Sequence, residues 1–224
     1  MPNAMGSRPP WTVIDFFSGA GGMSCGFARR PPFRVVAAVD AEAGKPCEGF
    51  GKLGCNPTYE ANIGVVPFAR DISSLEPHEF LALLDPTVRR DGPTVFLCCA
   101  PCTDFSRAKP ANHGADSAKN SLIGRCADFV EALRPEFVLM ENARELIRGN
   151  HPQHFLGFRS RLHALGYEVA GEIHTLTRFG LPQIRERALV VASRIGTVRT
   201  LGEMWELVHR VKKIAEGAAL MSET

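Results

Sequence analysis

Cys102 stands in the segment Val95-Phe96-Leu97-Cys98-Cys99-Ala100-Pro101-Cys102-Thr103-Asp104-Phe105-Ser106, where an apolar run of strand type passes straight into a Pro-Cys pair on a polar loop. A thiol at the carboxyl end of a strand is where an α/β enzyme holds a nucleophile. Cys99-Ala100-Pro101-Cys102 is also a C-x-x-C motif of thioredoxin type, so taken alone the segment fits thiol redox chemistry as well. Three further stretches give it a context. In Val13 to Ser24 a short apolar run feeds the turn Gly19-Ala20-Gly21-Gly22, and Ser24 to Arg29 then reads as a helix. Such a turn lets backbone approach a ligand and aims helix N–H groups at its polar atoms, or is simply a tight turn. Asp40 closes the apolar run Val35 to Val39, and Asp71 follows Val65 to Arg70. Carboxylates at strand ends accept hydrogen bonds from a ribose diol or an adenine amino group, and equally serve as helix N-caps. Phe137 to Asn142 is another buried run, ending in Glu141 at the sheet edge expected for Cys102. Finally, Gln183-Ile184-Arg185-Glu186-Arg187 precedes an apolar strand, and alternation puts both arginines on one side if the chain is extended there.

The elements that must position these residues alternate along the chain. Strands are expected at Thr12 to Phe16, Arg34 to Val39, Val65 to Phe68, Thr94 to Cys98, Phe137 to Met140, Glu168 to Thr175 and Ala188 to Ala192. Helical patterns fall at Ser24 to Arg29, Lys45 to Leu53, Glu76 to Leu84, Leu122 to Leu133 and His154 to Leu165, the last stopping at Gly166. This order predicts an α/β fold: a doubly wound, mainly parallel sheet with functional groups at the carboxyl ends of its strands. Thr103 to Asn120 is polar and aperiodic, a long loop beside the candidate nucleophile. Leu201, Met204, Trp205, Val208, Val211 and Ala215 form the apolar stripe of one further helix. Residues 1–11 read as a flexible lead-in, 12–195 as the catalytic domain, and 196–224 as an amphipathic helix and tail.

In this order the motifs resemble the cytosine-5 DNA methyltransferase family: the Asp-x-Phe-x-Gly-x-Gly-Gly turn at Asp15 to Gly22, the Pro-Cys loop with Phe-Ser at Pro101 to Ser106, Glu141-Asn142, and Gln-x-Arg-x-Arg at Gln183 to Arg187. The resemblance implies a Rossmann-like fold of the S-adenosylmethionine-dependent methyltransferase type and methyl transfer to carbon 5 of a cytosine flipped out of double-stranded DNA, as in restriction-modification. It implies that Cys102 attacks carbon 6 and that Glu141, protonated at that moment in a dry cleft, supports ring nitrogen 3. Arg187 would contact the ring carbonyl and Arg185 brace the loop or a phosphate. For the cofactor it implies packing of Phe17 against the adenine, approach of Ser18, Gly19, Ala20, Gly21 and Gly22 to the methionine part, Asp40 at the ribose and Asp71 at the adenine amino group, with Pro101 and Leu122 as the remaining wall. Ala100, Ser106, Arg107, Lys109, Asn142 and Gln183 are the implied substrate or loop contacts. The chain departs from the family pattern at Asp40, shorter than the usual carboxylate, and at Ala41, Thr103 and Ala143. Residues 194–224 are too few for a target recognition domain and the motifs that follow it. The expectation is therefore the catalytic half of a split enzyme with a second polypeptide as its reader. A non-catalytic binding protein of the same fold, an RNA cytosine methyltransferase and a C-x-x-C redox protein are the alternatives.

Composition sets the outer bounds. A chain of 224 residues suits one domain, and no apolar run approaches the ~20 residues needed to cross a bilayer. Seven cysteines in apolar and helical contexts suit reduced thiols; Cys25, Cys47, Cys55, Cys98 and Cys126 are expected to be structural. With one Cys-x-x-Cys, and His151 and His154 flanking a proline, no metal is expected. The expected location is the cytoplasm, on the nucleoid if the source is prokaryotic. The net charge of +2 is a weak electrostatic footprint for gripping DNA.

Overall fold

The computed structural model describes residues 10–43, 54–86, 88, 94–101 and 122–222, with side chains in the final helix described as far as Val211. Among them six strands form one sheet in the order β2-β1-β3-β4-β6-β5, with β1 at Trp11–Phe16, β2 at Phe33–Val39, β3 at Thr94–Cys98, β4 at Phe137–Ala143, β5 at Glu168–Thr175 and β6 at Glu186–Ser193. The first four are parallel, with Asp15 opposite Leu97 and Leu97 opposite Leu139. β6 runs antiparallel to both β4 and β5, and sets Ala143 opposite Arg187 and Glu141 opposite Leu189. This is the α/β methyltransferase type of sheet that the strand and helix order leads one to expect. The antiparallel pair brings the start of β6 to the edge where the parallel strands end.

Apolar residues line both faces, as parallel strands covered on two sides require. On one face Phe16 makes edge contacts with Phe80, Phe96 and Phe129, at ring centroid distances of 4.9, 5.0 and 4.7 Å. Those rings come from β3, from α3 (Pro77–Leu83) and from α4 (Leu122–Leu133). On the other, Val13, Val35, Val95 and Leu97 pack with Met23 and Phe27 of the segment that forms α1 (Cys25–Ala28). The remaining helices are α2 (Cys55–Ile63), α5 (Glu145–Arg148), α6 (Gln153–Ala164) and α7 (Leu201–Ser222). α4 has the bounds its apolar face predicts; α3 starts from a reciprocal Glu76/Glu79 capping box with Pro77 in its first turn.

Two expectations need correction. Val65 to Phe68 is not a strand: a single bridge joins Phe68 to Val39, through Phe68 N–H to Ala38 O at 2.8 Å and Asp40 N–H to Phe68 O at 3.2 Å. Pro67 has no N–H to extend the ladder. The C-terminal stripe also divides. Leu201, Met204 and Trp205 are half-buried, Trp205 against Phe179, whereas Leu207, Val208 and Val211 are exposed. The helix expected at Lys45 to Leu53 and the loop Thr103 to Asn120 lie outside the described residues.

Candidate active site

Four chain segments meet at the carboxyl edge of the parallel strands. β1 ends at Phe16 and the next residue, Phe17, adopts the left-handed conformation with φ 58°, unusual for a non-glycine residue. That conformation persists because Phe17 and Ser18 both donate their N–H to Val39 O, at 2.9 and 3.3 Å, which fastens the turn to β2. Gly19 and Gly21 follow with φ 52° and 88°. At Gly21 a Cβ would lie 3.0 Å from Ile63 and 3.1 Å from the Tyr59 ring, so only glycine passes there. Ser18 Oγ is buried with no hydrogen-bond partner among the described residues, the condition of a group waiting for a ligand.

Asp40 follows β2 and binds the glycine turn: its Oδ2 accepts Gly19 N–H at 2.9 Å, and its Oδ1 accepts Glu42 N–H at 2.6 Å and the Cys55 thiol at 3.6 Å. Burial pushes the Cys55 thiol up to about 11, and Asp40 beside it adds to the shift. Asp71 is exposed, with its Oδ1 accepting Ser73 N–H at 2.9 Å, a turn-capping role it holds alongside any ligand. Leu122 is buried at the start of α4, while Pro101 is exposed at the end of the described part of its loop.

At the centre of the edge, Arg187 Nε lies 2.6 Å from Glu141 Oε1 across the β4/β6 pairing. Asn142 Nδ2 donates to Ala100 O at 3.1 Å and ties the Glu-Asn segment to the Pro-Cys segment. The structure thus brings Ala100, Glu141, Asn142 and Arg187 together. The Glu141 side chain is 37% exposed, so the described residues do not by themselves form the dry cleft expected around it. Arg185 precedes β6 and is exposed, as is Gln183, and Arg187 is the arginine that pairs with Glu141. Cys102, Ser106, Arg107 and Lys109 lie outside the described residues. Cys99 is turned inward, its thiol 3.1 Å from Met23 Sδ, and burial pushes that thiol far above its ordinary value.

Sequence reasoning did not find the parts played by Glu186, Glu42 and Asp15, the last of which it marked only as the start of the glycine motif. Glu186, between the two arginines, pairs with Arg144 at 2.5 Å and links the end of β4 to the start of β6. Glu42 accepts Asn56 N–H at 2.9 Å at the start of α2. Beneath the glycine turn, Asp15 is buried inside β1 and its Oδ2 accepts the Ser24 hydroxyl at 2.6 Å; Ser24 in turn accepts the Tyr59 hydroxyl at 2.8 Å. Burial pushes the Asp15 carboxyl up to about 7, against the hydrogen bonds from Ser24 and Tyr59. Among the described residues no group of His, Cys, Asp or Glu is clustered as a metal site, and no helix is long and apolar enough to cross a membrane.

The chain matches the family model described as C-5 cytosine-specific DNA methylase over residues 11–215. It is 27% identical over 190 residues to the Type II methylase M.HgiDII of Herpetosiphon aurantiacus, a match covering 84% of this chain and 49% of that protein. To the Type II methyltransferase M.HgiDI of the same organism it is 32% identical over 196 residues, covering 86% and 55%. The chain thus spans about half the length of the curated relatives it matches. Among solved structures, the Dnmt2 methyltransferase of S. pombe aligns with a TM-score of 0.62 at 20% identity, over 88% of this chain and 55% of that one. A DNA modification methyltransferase encoded within an E. coli prophage aligns with a TM-score of 0.63 at 23% identity, over 82% and 46%. At these identities the likeness to the two structures is one of fold.

Proposed function

Because this chain belongs to the C-5 cytosine-specific DNA methylase family, we propose that residues 12–195 are a catalytic domain that directs a methyl group from S-adenosylmethionine to carbon 5 of a cytosine flipped out of double-stranded DNA, as in restriction-modification. The observation that carries this reading is the Glu141–Arg187 pair at 2.6 Å, held beside the Pro-Cys segment by the Asn142 to Ala100 hydrogen bond. Cys102 is the nucleophile: its thiolate adds to carbon 6 and makes carbon 5 electron-rich, while Glu141 supplies a proton or hydrogen bond at ring nitrogen 3. Arg187 then contacts the ring carbonyl and holds Glu141 in place; Arg185 and Gln183, with Ser106 and Arg107, brace the loop or a phosphate. Once carbon 5 carries its methyl group, its proton passes to a solvent water, the double bond between carbons 5 and 6 re-forms as the Cys102 thiolate leaves, and any proton placed on ring nitrogen 3 returns to Glu141.

The glycine turn fits S-adenosylmethionine, which when bound supplies the methyl group as an electrophile. Its residues offer a buried hydroxyl at Ser18 with no partner among the described residues, a half-buried Phe17 with left-handed backbone, and open space around the Cβ positions of Gly19 and Gly22. Asp40 takes the ribose while keeping its hold on Gly19, Asp71 the adenine amino group, and Pro101 and Leu122 the remaining wall. The half-buried Cys99 thiol, turned toward Met23 Sδ at 3.1 Å and raised in pKa by desolvation, is poorly placed to serve as an exchanging thiolate, which weighs against the redox alternative. A second polypeptide acts as the reader of DNA sequence in this proposal. Its support is the outward face of α7, where Leu207, Val208 and Val211 are 53%, 61% and 58% exposed.

The decisive experiment is trapping on a 5-fluorocytosine duplex in the presence of S-adenosylmethionine, with and without a candidate second polypeptide. A covalent adduct that Cys102→Ser abolishes and Cys99→Ser retains is the expected result. Equal loss in both variants would favour the C-x-x-C reading. Sedimentation and steady-state methylation with and without the second polypeptide test the split arrangement, which robust sequence-specific methylation by the monomer would overturn.

A further inference from the structure

α2 touches both loops assigned to the cofactor, and it does so through polar groups as well as packing. At its start, the Cys55 thiol reaches Asp40 Oδ1 at 3.6 Å and Asn56 Nδ2 donates to Asp40 O at 3.3 Å. Further along, Asn62 Nδ2 donates to Ala20 O at 3.0 Å, and the Tyr59 ring and Ile63 close over Gly21. The Tyr59 side chain is the only fully buried residue of this helix. Its hydroxyl donates to Ser24 Oγ at 2.8 Å and lies 3.5 Å from Asp15 Oδ2. Ser24 stands at the N-cap position of α1 but makes no capping bond; its hydroxyl is given to Asp15 instead. A buried tyrosine, serine and aspartate in hydrogen-bond contact are costly to assemble unless every member is satisfied. A plain apolar contact would have held α2 to the sheet equally well.

We propose that Tyr59 is a positioning residue for the cofactor turn: through Ser24 and Asp15 it fixes the Gly19–Ser24 segment against α2 in the shape that receives S-adenosylmethionine. The inference rests on the assignment of that turn to the cofactor. Tyr59→Phe keeps the ring against Gly21 and removes only the hydroxyl, so packing and hydrogen bonding are separated. The hydroxyl contributes one buried neutral hydrogen bond, from which roughly a three- to tenfold effect follows.

Amide hydrogen exchange on the cofactor-free chain reads the turn directly, at Gly21 N–H and Cys25 N–H, which are bonded at 2.9 Å to Ser18 O and Gly21 O. Both are expected to exchange roughly three- to tenfold faster in Tyr59→Phe, with Phe96 in β3 unchanged, and S-adenosylmethionine affinity measured by calorimetry is expected to fall by a similar factor. Ser24→Ala, which removes both the Tyr59 and the Asp15 bonds, should loosen the turn at least as much, and the double variant no more than Ser24→Ala alone, because the three groups act as one relay. Unchanged exchange at Gly21 and Cys25, or additive losses in the double variant, would overturn the proposal. Loosened amides with unchanged cofactor affinity would overturn the positioning role while leaving the cofactor assignment standing. Variants that loosen as expected, alongside a wild-type chain that binds no S-adenosylmethionine, would instead overturn the cofactor assignment.

Discussion

Replacing Gly21 by alanine perturbs the cofactor turn by a route whose size the geometry sets. Gly21 has φ 88°, where an L residue costs about 1–2 kcal/mol relative to its preferred conformations. Its new Cβ would stand 3.0 Å from Ile63 Cγ1 and 3.1 and 3.3 Å from the Tyr59 ring. Ile63 and Tyr59 belong to one helix, and Tyr59 is fully buried, so neither side chain swings away freely. Relieving such overpacking costs about 1–3 kcal/mol. Together the two effects give a loss of about 2–5 kcal/mol, or a fall in Tm on the order of 10 °C for a domain of this size. Gly19 and Gly22 supply graded controls. Gly19 has φ 52° but open space around its Cβ position, so Gly19→Ala should lose only the conformational part, about 1–2 kcal/mol. Gly22 has neither a positive φ nor a neighbour within 4 Å, and Gly22→Ala should fall within about 0.5 kcal/mol of wild type. Urea denaturation of the cofactor-free variants measures the series. A neutral Gly21→Ala, or a Gly22→Ala as damaging as Gly21→Ala, would refute the claim that α2 closes on the turn.

Arg187→Ala should separate catalysis from folding: the pair it breaks is partly exposed, with side chains 18% and 37% accessible, so stability should change by about 1 kcal/mol or less. Single-turnover methylation should fall by roughly 100- to 1000-fold if the pair supports charge on the cytosine ring. Asp15 gives a pH signature, because its folded carboxyl is pushed up from 3.8 to about 7 by burial, with Asp40 adding to the shift and Ser24 and Tyr59 opposing it. The folded state therefore holds a proton that the unfolded chain releases, and this group's contribution to stability falls as pH rises from about 4 through about 7. Asp15→Asn should remove that slope, so the wild-type minus variant difference in urea midpoint should decline across the window. A flat difference would show that Asp15 is not a buried acid.

The sequence made the sheet and its functional edge legible because the signals there are local. β3 and α4 fall where apolar run length and one-sided periodicity put them, at Thr94–Cys98 and Leu122–Leu133. Glu141 and Arg187 could each be marked as candidates, but their contact depends on β6 turning antiparallel beside β4, a register that no short segment encodes. α2 escaped notice for the opposite reason. It has no apolar stripe, buries Tyr59 alone and carries Pro57 in its first turn, so its pattern reads as loop.

The carboxylates illustrate where such reasoning stops. Asp15, Asp40 and Asp71 look alike in sequence, each at or beside the end of an apolar run, yet the fold gives them three different situations. Asp71 is exposed and caps its own turn. Asp40 sits one residue beyond β2 and clasps the glycine turn through Gly19 N–H. Asp15 lies one residue inside β1, where alternation turns it to the face covered by α1 and α2, so that it is buried beneath the turn. A shift of one residue along a strand thus decides whether an acid stands at the sheet's edge or is buried in the scaffold beneath the turn. What makes the buried position tolerable is the Ser24 hydroxyl, itself held by a tyrosine 35 residues further along the sequence. The turn's shape is therefore fixed from α2, although every residue that names the turn belongs to β1 and the loop after it.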